Sequence, residues 1–312
     1  MRYNIGCMLE KEAAILTQNW QVLARQDQVS QAELLREALD EAEAIQVGVG
    51  AGMGAADGFT YVGPRFQEAF PDFIAKYGWL DMFQASVFPF ADEAESWAFF
   101  SRFVKLNYLD QGVGASYVRM RQALKGRNYH IITSNADNAF EQADYDPDKV
   151  FDVQGKYILI QCMYGCHPKR YRIDDLVLEM VDRQENMRVP EELIPQCPEC
   201  GQRMELNRRN HWDWMVEDQA FKEEKVRYDS FLARNKDKKL LLLEMGCGYM
   251  APQVIKHPFQ DMAEAFPQAL YLTVNLKDYR IPPAIRPKTI WLEADIRQLL
   301  ADLENLDERS DR

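Results

Sequence analysis

The 312-residue chain has no run of about 18 apolar residues, so no membrane span is predicted. Its first residues, MRYNIGCMLEKEAAILTQ, put charges where a secretion signal needs an apolar centre, and a cytoplasmic protein is the expectation. Basic residues are in deficit: 37 Lys and Arg against 49 Asp and Glu, a net charge of −12, which argues against nucleic acid as the main partner. Cysteine is scarce as well. There are six, and four of them fall in two close pairs, a pattern that in a reducing compartment points to a metal rather than to disulfides. What is abundant is apolar side chain, 47% of residues, enough for a sizeable core in two domains or in one domain with an insertion.

The stretch Ile45 to Tyr61, IQVGVGAGMGAADGFTY, organises the rest. Ile45, Val47 and Val49 alternate as in a strand, and glycines follow at 50, 52 and 54. Glycine lets a backbone approach a ligand closely, and Gly50-Ala51-Gly52-Met53-Gly54-Ala55 fits the dinucleotide fingerprint G-x-G-x-x-G/A. An isolated match fits a plain strand-to-helix turn equally well. Residues 59 to 100, rich in Phe, Trp, Pro and Gly, contain no clean second strand, unlike an ordinary dehydrogenase. They read as a cap of loops and short helices.

Residues 31 to 44 and 117 to 125 are predicted helices. Tyr129 to Ser134 is a buried strand ending in Asn135-Ala136-Asp137-Asn138. Those polar residues face a ligand crevice if the strand lies in an open α/β sheet, or they cap the following helix. Phe151 to Lys156 is a short strand into a glycine turn, and Tyr157 to Gln161 another strand. Residues 171 to 196 read as charged and irregular; 210 to 216, NHWDWMV, as a groove lining or a small core. Phe221, Tyr228, Phe231 and Leu232 share a helix face. Strands are predicted at 239–245, 269–275 and 289–295, the first running into Gly246-Cys247-Gly248, and the tail 303–312 is expected to fray. Cys247 has no sequence neighbour to activate it and reads as a small polar contact.

Cys162 and Cys166 precede Cys197 and Cys200 by about thirty residues. Two knuckles of this kind give a tetrahedral all-thiolate zinc site, which is closed to substrate and serves folding. His167 is an alternative ligand that four cysteines make unnecessary.

The order of these pieces resembles that of the sirtuins: Gly50-Ala51-Gly52, then Thr133-Ser134-Asn135-Ala136-Asp137, Val153-Gln154-Gly155, the four cysteines, Gly246-Cys247-Gly248 and Asn275. The resemblance spans roughly residues 40 to 300. It implies an α/β fold: a Rossmann-like parallel-sheet domain formed by 1–155 and 240–312, capped at about 59–115, with a zinc ribbon inserted at 156–239. It implies NAD as co-substrate, held by Gly50, Ala51, Gly52, Ala55, Asp57, Gly58, Phe59, Ser134, Gly246, Cys247, Gly248, Asn275, Leu276, Asp295 and Ile296.

Sirtuin deacylases carry a His base before the glycine of the third motif; here Gln154 stands there, and Gln cannot usefully take a proton. None of the four histidines lies near it in sequence, and the loop after Gly58 reads FTYVGPRF rather than G-I-P-x-F-R. Both departures resemble the macrodomain-linked class M sirtuins, whose pattern has Ser at the place of Gly54. That branch implies protein mono-ADP-ribosyl transfer to a lipoylated H-like carrier, reversed by a macrodomain hydrolase. Asn135, Asp137 and Gln154 are then the catalytic candidates. A non-catalytic NAD or ADP-ribose binding module and an NAD glycohydrolase are the alternatives.

Overall fold

A computed structural model describes residues 20–209, 214–277 and 280–310, the last three by backbone alone. Six parallel strands form the main sheet: β1 (Ala44–Val49), β2 (Tyr129–Thr133), β3 (Val150–Asp152), β7 (Leu240–Met245), β8 (Leu270–Asn275) and β9 (Thr289–Glu293), in the order β3-β2-β1-β7-β8-β9. A separate antiparallel sheet has the order β5-β4-β6, from β4 (Gly155–Cys162), β5 (Arg170–Arg172) and β6 (Met204–Arg208). Every residue of β1, β7 and β8 is buried, as expected of strands covered on both faces.

Helices cover both sides of the parallel sheet. Helix α1 (Gln31–Glu41) starts at a capping box, in which Ser30 and Glu33 each bond the other's backbone N–H. It buries Leu34, Leu35, Ala38 and Leu39 in a core shared with Val47, Leu243, Leu272 and Met53, the last from the short α2 (Ala51–Ala56). The cap comprises α3 (Pro64–Ala69), α4 (Pro71–Tyr77), α5 (Met82–Ser86) and α6 (Glu93–Val104), the last running into a π-turn at Lys105–Leu109. Helix α7 (Ala115–Ala123) returns to the first core through Tyr117 and Met120. After the short α8 (Ala139–Gln142) and the ribbon's α9 (Asp174–Arg183), α10 (Gln219–Asn235) and α11 (Lys256–Ala265) pack Phe221, Phe231 and Phe259 on the opposite face of the sheet, against Leu242 and Tyr271. Helix α12 (Ile296–Ser310) closes the first face.

Two expectations change. The segment 171–196 is not irregular: α9 forms there because Val177 and Met180, one turn apart, are buried. The tail does not fray from 303: α12 continues to Ser310 and buries Leu303 along with Leu299 and Leu300. Charge in both segments concealed a narrow apolar stripe. Of the 210–216 stretch, residues 210–213 lie outside the described residues, while Met215 and Val216 are buried.

A third core joins the cap to the ribbon. Phe70, Phe73, Trp97, Phe99 and Phe103 share one cluster with Ile158, Ile160 and Val177, and with Cys162 and Cys197. Among the described residues no helix is long and apolar enough to cross a membrane.

Candidate functional site

Strand order reverses between β1 and β7, so their carboxyl ends open the crevice where ligands bind in open α/β sheets. Two glycine turns meet at this point. Gly50 N–H donates to Met245 O at 3.0 Å, Gly52 N–H to Gly246 O at 2.9 Å, and Gly246 N–H to Val274 O at 3.0 Å. A Cβ on Gly50 would stand 2.6 Å from Gly246 O, and one on Gly52 2.7 Å from Gly246 Cα. Gly246 itself has φ +67°, which glycine adopts readily. The first two glycines thus let one turn lie on the other. Ala51 and Ala55 face outward, while a Cβ on Gly54 would make only ordinary contacts, among them the Tyr117 hydroxyl at 3.7 Å.

The end of β2 enters the same crevice. Ser134 N–H donates to Val49 O at 3.0 Å, and the Asn135 amide donates to Gly50 O and to the Tyr117 hydroxyl, both at 3.2 Å. Asp137 accepts from Ala139 N–H at 3.0 Å in the turn that leads into α8, whose N-cap is Asn138. Asp137 is also partly buried. Burial pushes its pKa up to about 6, with the nearby Asp152 adding to the rise and Ala139 N–H, Gln111 and Arg65 opposing it.

Gln154 lies on the two-residue turn that carries the chain from the parallel sheet into the ribbon. Gly155 turns the backbone with φ +85°, and a Cβ there would sit 2.2 Å from Asn207 O. Val153 N–H donates to Thr133 O at 3.2 Å and Tyr157 N–H to Ala136 O at 2.9 Å, tethering this turn to the Asn135–Asp137 loop. The Gln154 side chain is half-buried and makes no hydrogen bond to another described residue.

The remaining candidates divide. Cys247 is buried at the crossing turn, and its thiol pKa is raised by burial and by the Glu244 carboxylate, so it is no nucleophile. Asn275 is buried at the end of β8 and bonds Thr273 at 3.4 Å, while Leu276 beside it is exposed. Gly58 has φ +90° with open space around its Cα, and Phe59 N–H bonds back to Gly54 O at 2.9 Å. Asp57 spends its carboxylate on Ser116, accepting from its N–H and, at 2.8 Å, from its hydroxyl at the start of α7. Asp295 caps α12 through Gln298 N–H at 3.0 Å, and Ile296 is buried in the first core.

Side chains that the sequence did not single out complete the enclosure. The Tyr61 and Tyr157 hydroxyls meet at 2.6 Å, joining cap to ribbon. Arg65 reaches back to Thr60 O at 3.1 Å, Asn107 at 2.7 Å and Leu106 O at 2.9 Å, fixing the loop after the glycine turn to the π-turn. Tyr61 sat in the loop already noted; Tyr117 looked like any core residue on an amphipathic helix.

Sγ atoms of Cys162, Cys166, Cys197 and Cys200 all lie within 4.8 Å of one another. Cys162–Cys200 and Cys166–Cys197 separations are 3.7 and 3.5 Å, close to the roughly 3.8 Å that Zn–S bonds of about 2.3 Å give in a tetrahedron. Four thiolates with this spacing fit structural zinc. His167 instead sits outside the set, its Nδ1 2.9 Å from Cys166 Sγ and its Nε2 2.8 Å from the Tyr171 hydroxyl.

No family model matches the chain. A Sir2 homologue solved as its NAD complex superposes with a TM-score of 0.57 at 14% identity, over 90% of this chain and 95% of that one, which establishes the fold. A curated "Protein ADP-ribosyltransferase" of Staphylococcus aureus strain Mu50 is 52% identical over 278 residues, 89% of this chain and 88% of that protein. The chain belongs to the family of that protein ADP-ribosyltransferase, and its fold is that of the Sir2 homologue. A "Probable bifunctional ADP-ribose hydrolase/ADP-ribosyltransferase" of Fusarium oxysporum is 29% identical over 246 residues, 73% of this chain and 39% of that longer protein. The crevice at the β1 and β7 ends, with the Asn135–Asp137 loop and the Gln154 turn tethered to it, is the candidate active site.

Proposed function

We propose that this chain transfers a single ADP-ribosyl group from NAD to a protein acceptor, that the acceptor is a lipoylated H-like carrier, and that acyl-lysine is not its substrate. Family membership carries the coarser part, NAD-dependent ADP-ribosylation. The observation that carries the finer part is Gln154: an uncharged, half-buried amide, uncommitted within the described residues, at the turn where a deacylase places its base.

NAD supplies an ADP-ribosyl group whose bond to nicotinamide breaks through an oxocarbenium-like transition state. Backbone at Gly50–Gly52 and Gly246–Gly248 faces its phosphates at the switch point, with Ala51, Ala55, Gly58 and Phe59 on the open side and Ser134, Cys247, Asn275, Leu276, Asp295 and Ile296 along the strand ends. Asp57 supports this set from behind, through α7. Asp137 accepts a hydrogen bond from the nicotinamide amide. Asn135, held by Gly50 O and Tyr117, sets the ribose face. Gln154 bonds the ribose hydroxyls without competing as a nucleophile. With no base at the position of Gln154, an acceptor that is already nucleophilic, as an Asp or Glu carboxylate is, suits the site best. Residues 1–155 and 240–312 are assigned to the nucleotide-binding domain and 156–239 to the zinc domain, although α10 packs on the parallel sheet and the cap at 59–115 shares its core with the ribbon. The resemblance to a protein that also carries ADP-ribose hydrolase in its name favours a hydrolase that reverses the mark.

The test is incubation with isotope-labelled NAD and carrier protein, lipoylated or not, followed by intact mass spectrometry, beside a panel of acetyl-lysine peptides. A single ADP-ribosyl mass on the lipoylated carrier and unchanged peptides are expected. Robust NAD-dependent deacetylation would overturn the Gln154 argument; nicotinamide release with no labelled protein would mark a glycohydrolase, and NAD binding without release a binding module.

A further inference from the structure

The turn that presents Gln154 is held by a cation that the transfer chemistry does not use. Lys156 Nζ lies 3.0 Å from Asp152 Oδ2, closing a loop of side chains across Val153-Gln154-Gly155. The same ammonium lies 2.8 Å from Glu141 Oε1, on α8, four residues beyond Asp137. Glu141 is fixed in turn by the Tyr108 hydroxyl at 2.8 Å, from the π-turn that ends the cap. One side chain therefore ties the Gln154 turn to the helix that follows Asn135 and Asp137.

Burial makes this cation matter. Asp152 is buried, and burial raises its carboxyl pKa while Lys156 lowers it. Lys156 itself is raised because Asp152 and Glu141 outweigh its own desolvation. A third carboxyl, Glu224 on α10, faces Asp152. Arg170 also stands near, but it is bonded to Asp218 at 2.6 Å. Without Lys156, Asp152 and Glu141 would lose the charge that draws them together, and like charges at close range repel. Backbone contacts hold the turn as well, Val153 N–H on Thr133 O at 3.2 Å, Tyr157 N–H on Ala136 O at 2.9 Å, and Arg209, whose N–H reaches Gln154 O at 3.3 Å and whose Nε reaches Val153 O at 3.0 Å; Lys156 adds the charged side-chain tie between the turn and α8.

We propose that Lys156 is a positioning residue, which through Asp152 and Glu141 holds Gln154 in register with Asn135 and Asp137. This rests on the role given to Gln154 above. A misplacement of about 1 Å at a reacting group can cost about 100-fold in rate, so the effect falls on kcat and spares NAD affinity.

Lys156→Met keeps the length of the side chain and removes its charge. It is expected to lower kcat for nicotinamide release, with NAD and the lipoylated carrier, by about 10- to 100-fold, with the Kd for NAD by calorimetry changed by less than about 3-fold. Lys156→Arg is expected to restore most of the rate. Added to Gln154→Ala, Lys156→Met is expected to cost nothing further, since both changes remove one function. Independently of turnover, hydrogen exchange over residues 150–160 is expected to quicken in Lys156→Met and not in Lys156→Arg. Glu141→Gln, half exposed and less disruptive to folding, is expected to lose part of the rate in the same way. Wild-type kcat in Lys156→Met, full additivity with Gln154→Ala, or unchanged exchange would each overturn the proposal. Full turnover by Gln154→Ala would instead sink the role of Gln154, and absence of transfer by the wild type the choice of acceptor; the exchange measurement stands apart from both.

Discussion

With the role proposed for Asp137 at the nicotinamide amide, its carboxyl gives NAD binding a pH dependence. Its carboxyl titrates at about 6 because it is buried, so it is mostly neutral below that pH and ionised above it. As the acceptor for an amide N–H it works best ionised. NAD affinity is therefore expected to rise between pH 5 and 7 and to level off above, and Asp137→Asn is expected to weaken binding at pH 7.5 and flatten the profile; calorimetry across that range checks both. The sign for stability is opposite. A carboxyl raised from 3.8 to about 6 holds its proton longer in the folded state, so the fold loses stability as pH rises through that window. Asp137→Asn is accordingly expected to raise the melting temperature at pH 7.5 relative to wild type. Residues of this kind were partly legible in the sequence. Asn135 and Asp137 stood at a strand end and Gln154 at a glycine turn, where spacing alone draws the eye. Tyr61, Tyr157, Arg65 and Lys156 were not, because each acts across a junction between segments far apart in the chain, and no periodicity reports which hydroxyl or ammonium will face which.

At the scale of elements, the two glycine turns form one object. The sequence suggested that Gly52 was small so that a ligand could come close; the contacts show that its nearest obstacle is the Gly246 backbone. Gly52→Ala is expected to force the turns apart, costing about 1–3 kcal/mol by urea denaturation as overpacking does, and weakening NAD binding together with stability. Gly54→Ser, by contrast, meets only ordinary contacts and is expected to leave stability unchanged within about 0.5 kcal/mol. Strands were the most readable elements: β1, β2, β7, β8 and β9 all lie where apolar runs end in Gly, Asn or an acidic turn. Helices α9 and α12 are hard to read from the sequence because their buried residues are few and their exposed faces densely charged. In both, the stripe is clear once Val177 and Met180, or Leu299 and Leu303, are seen facing a core.

For the molecule as a whole, the shared core of cap and ribbon extends the reach of the metal site. Cys162 and Cys197 are themselves part of the cluster that contains Trp97 and Phe99. Cys200→Ser is expected to lose about one equivalent of zinc, since structural zinc binding is largely folding free energy. It is also expected to loosen the cap, read as a red shift in fluorescence from the buried Trp79 and Trp97 and as a lower melting temperature. Wild-type protein purified without chelator and free of zinc would refute the site. The strand order carries a consequence for how the chain is made. β1 pairs with β2 on one side and β7 on the other, and the 106 residues from 134 to 239 separate those partners. At a synthesis rate of about 5–20 residues per second, the 190 residues from 50 to 239 keep the β7 side of β1 waiting roughly 10–40 s on the ribosome for its neighbour. Through that interval the β7-facing edge of β1, Ala44 to Val49, apolar except for Gln46, has no partner in the nascent chain. A chaperone, or the early folding of the intervening cap and ribbon, has to shield it, and chains cut short before Leu240 are expected to aggregate through that edge.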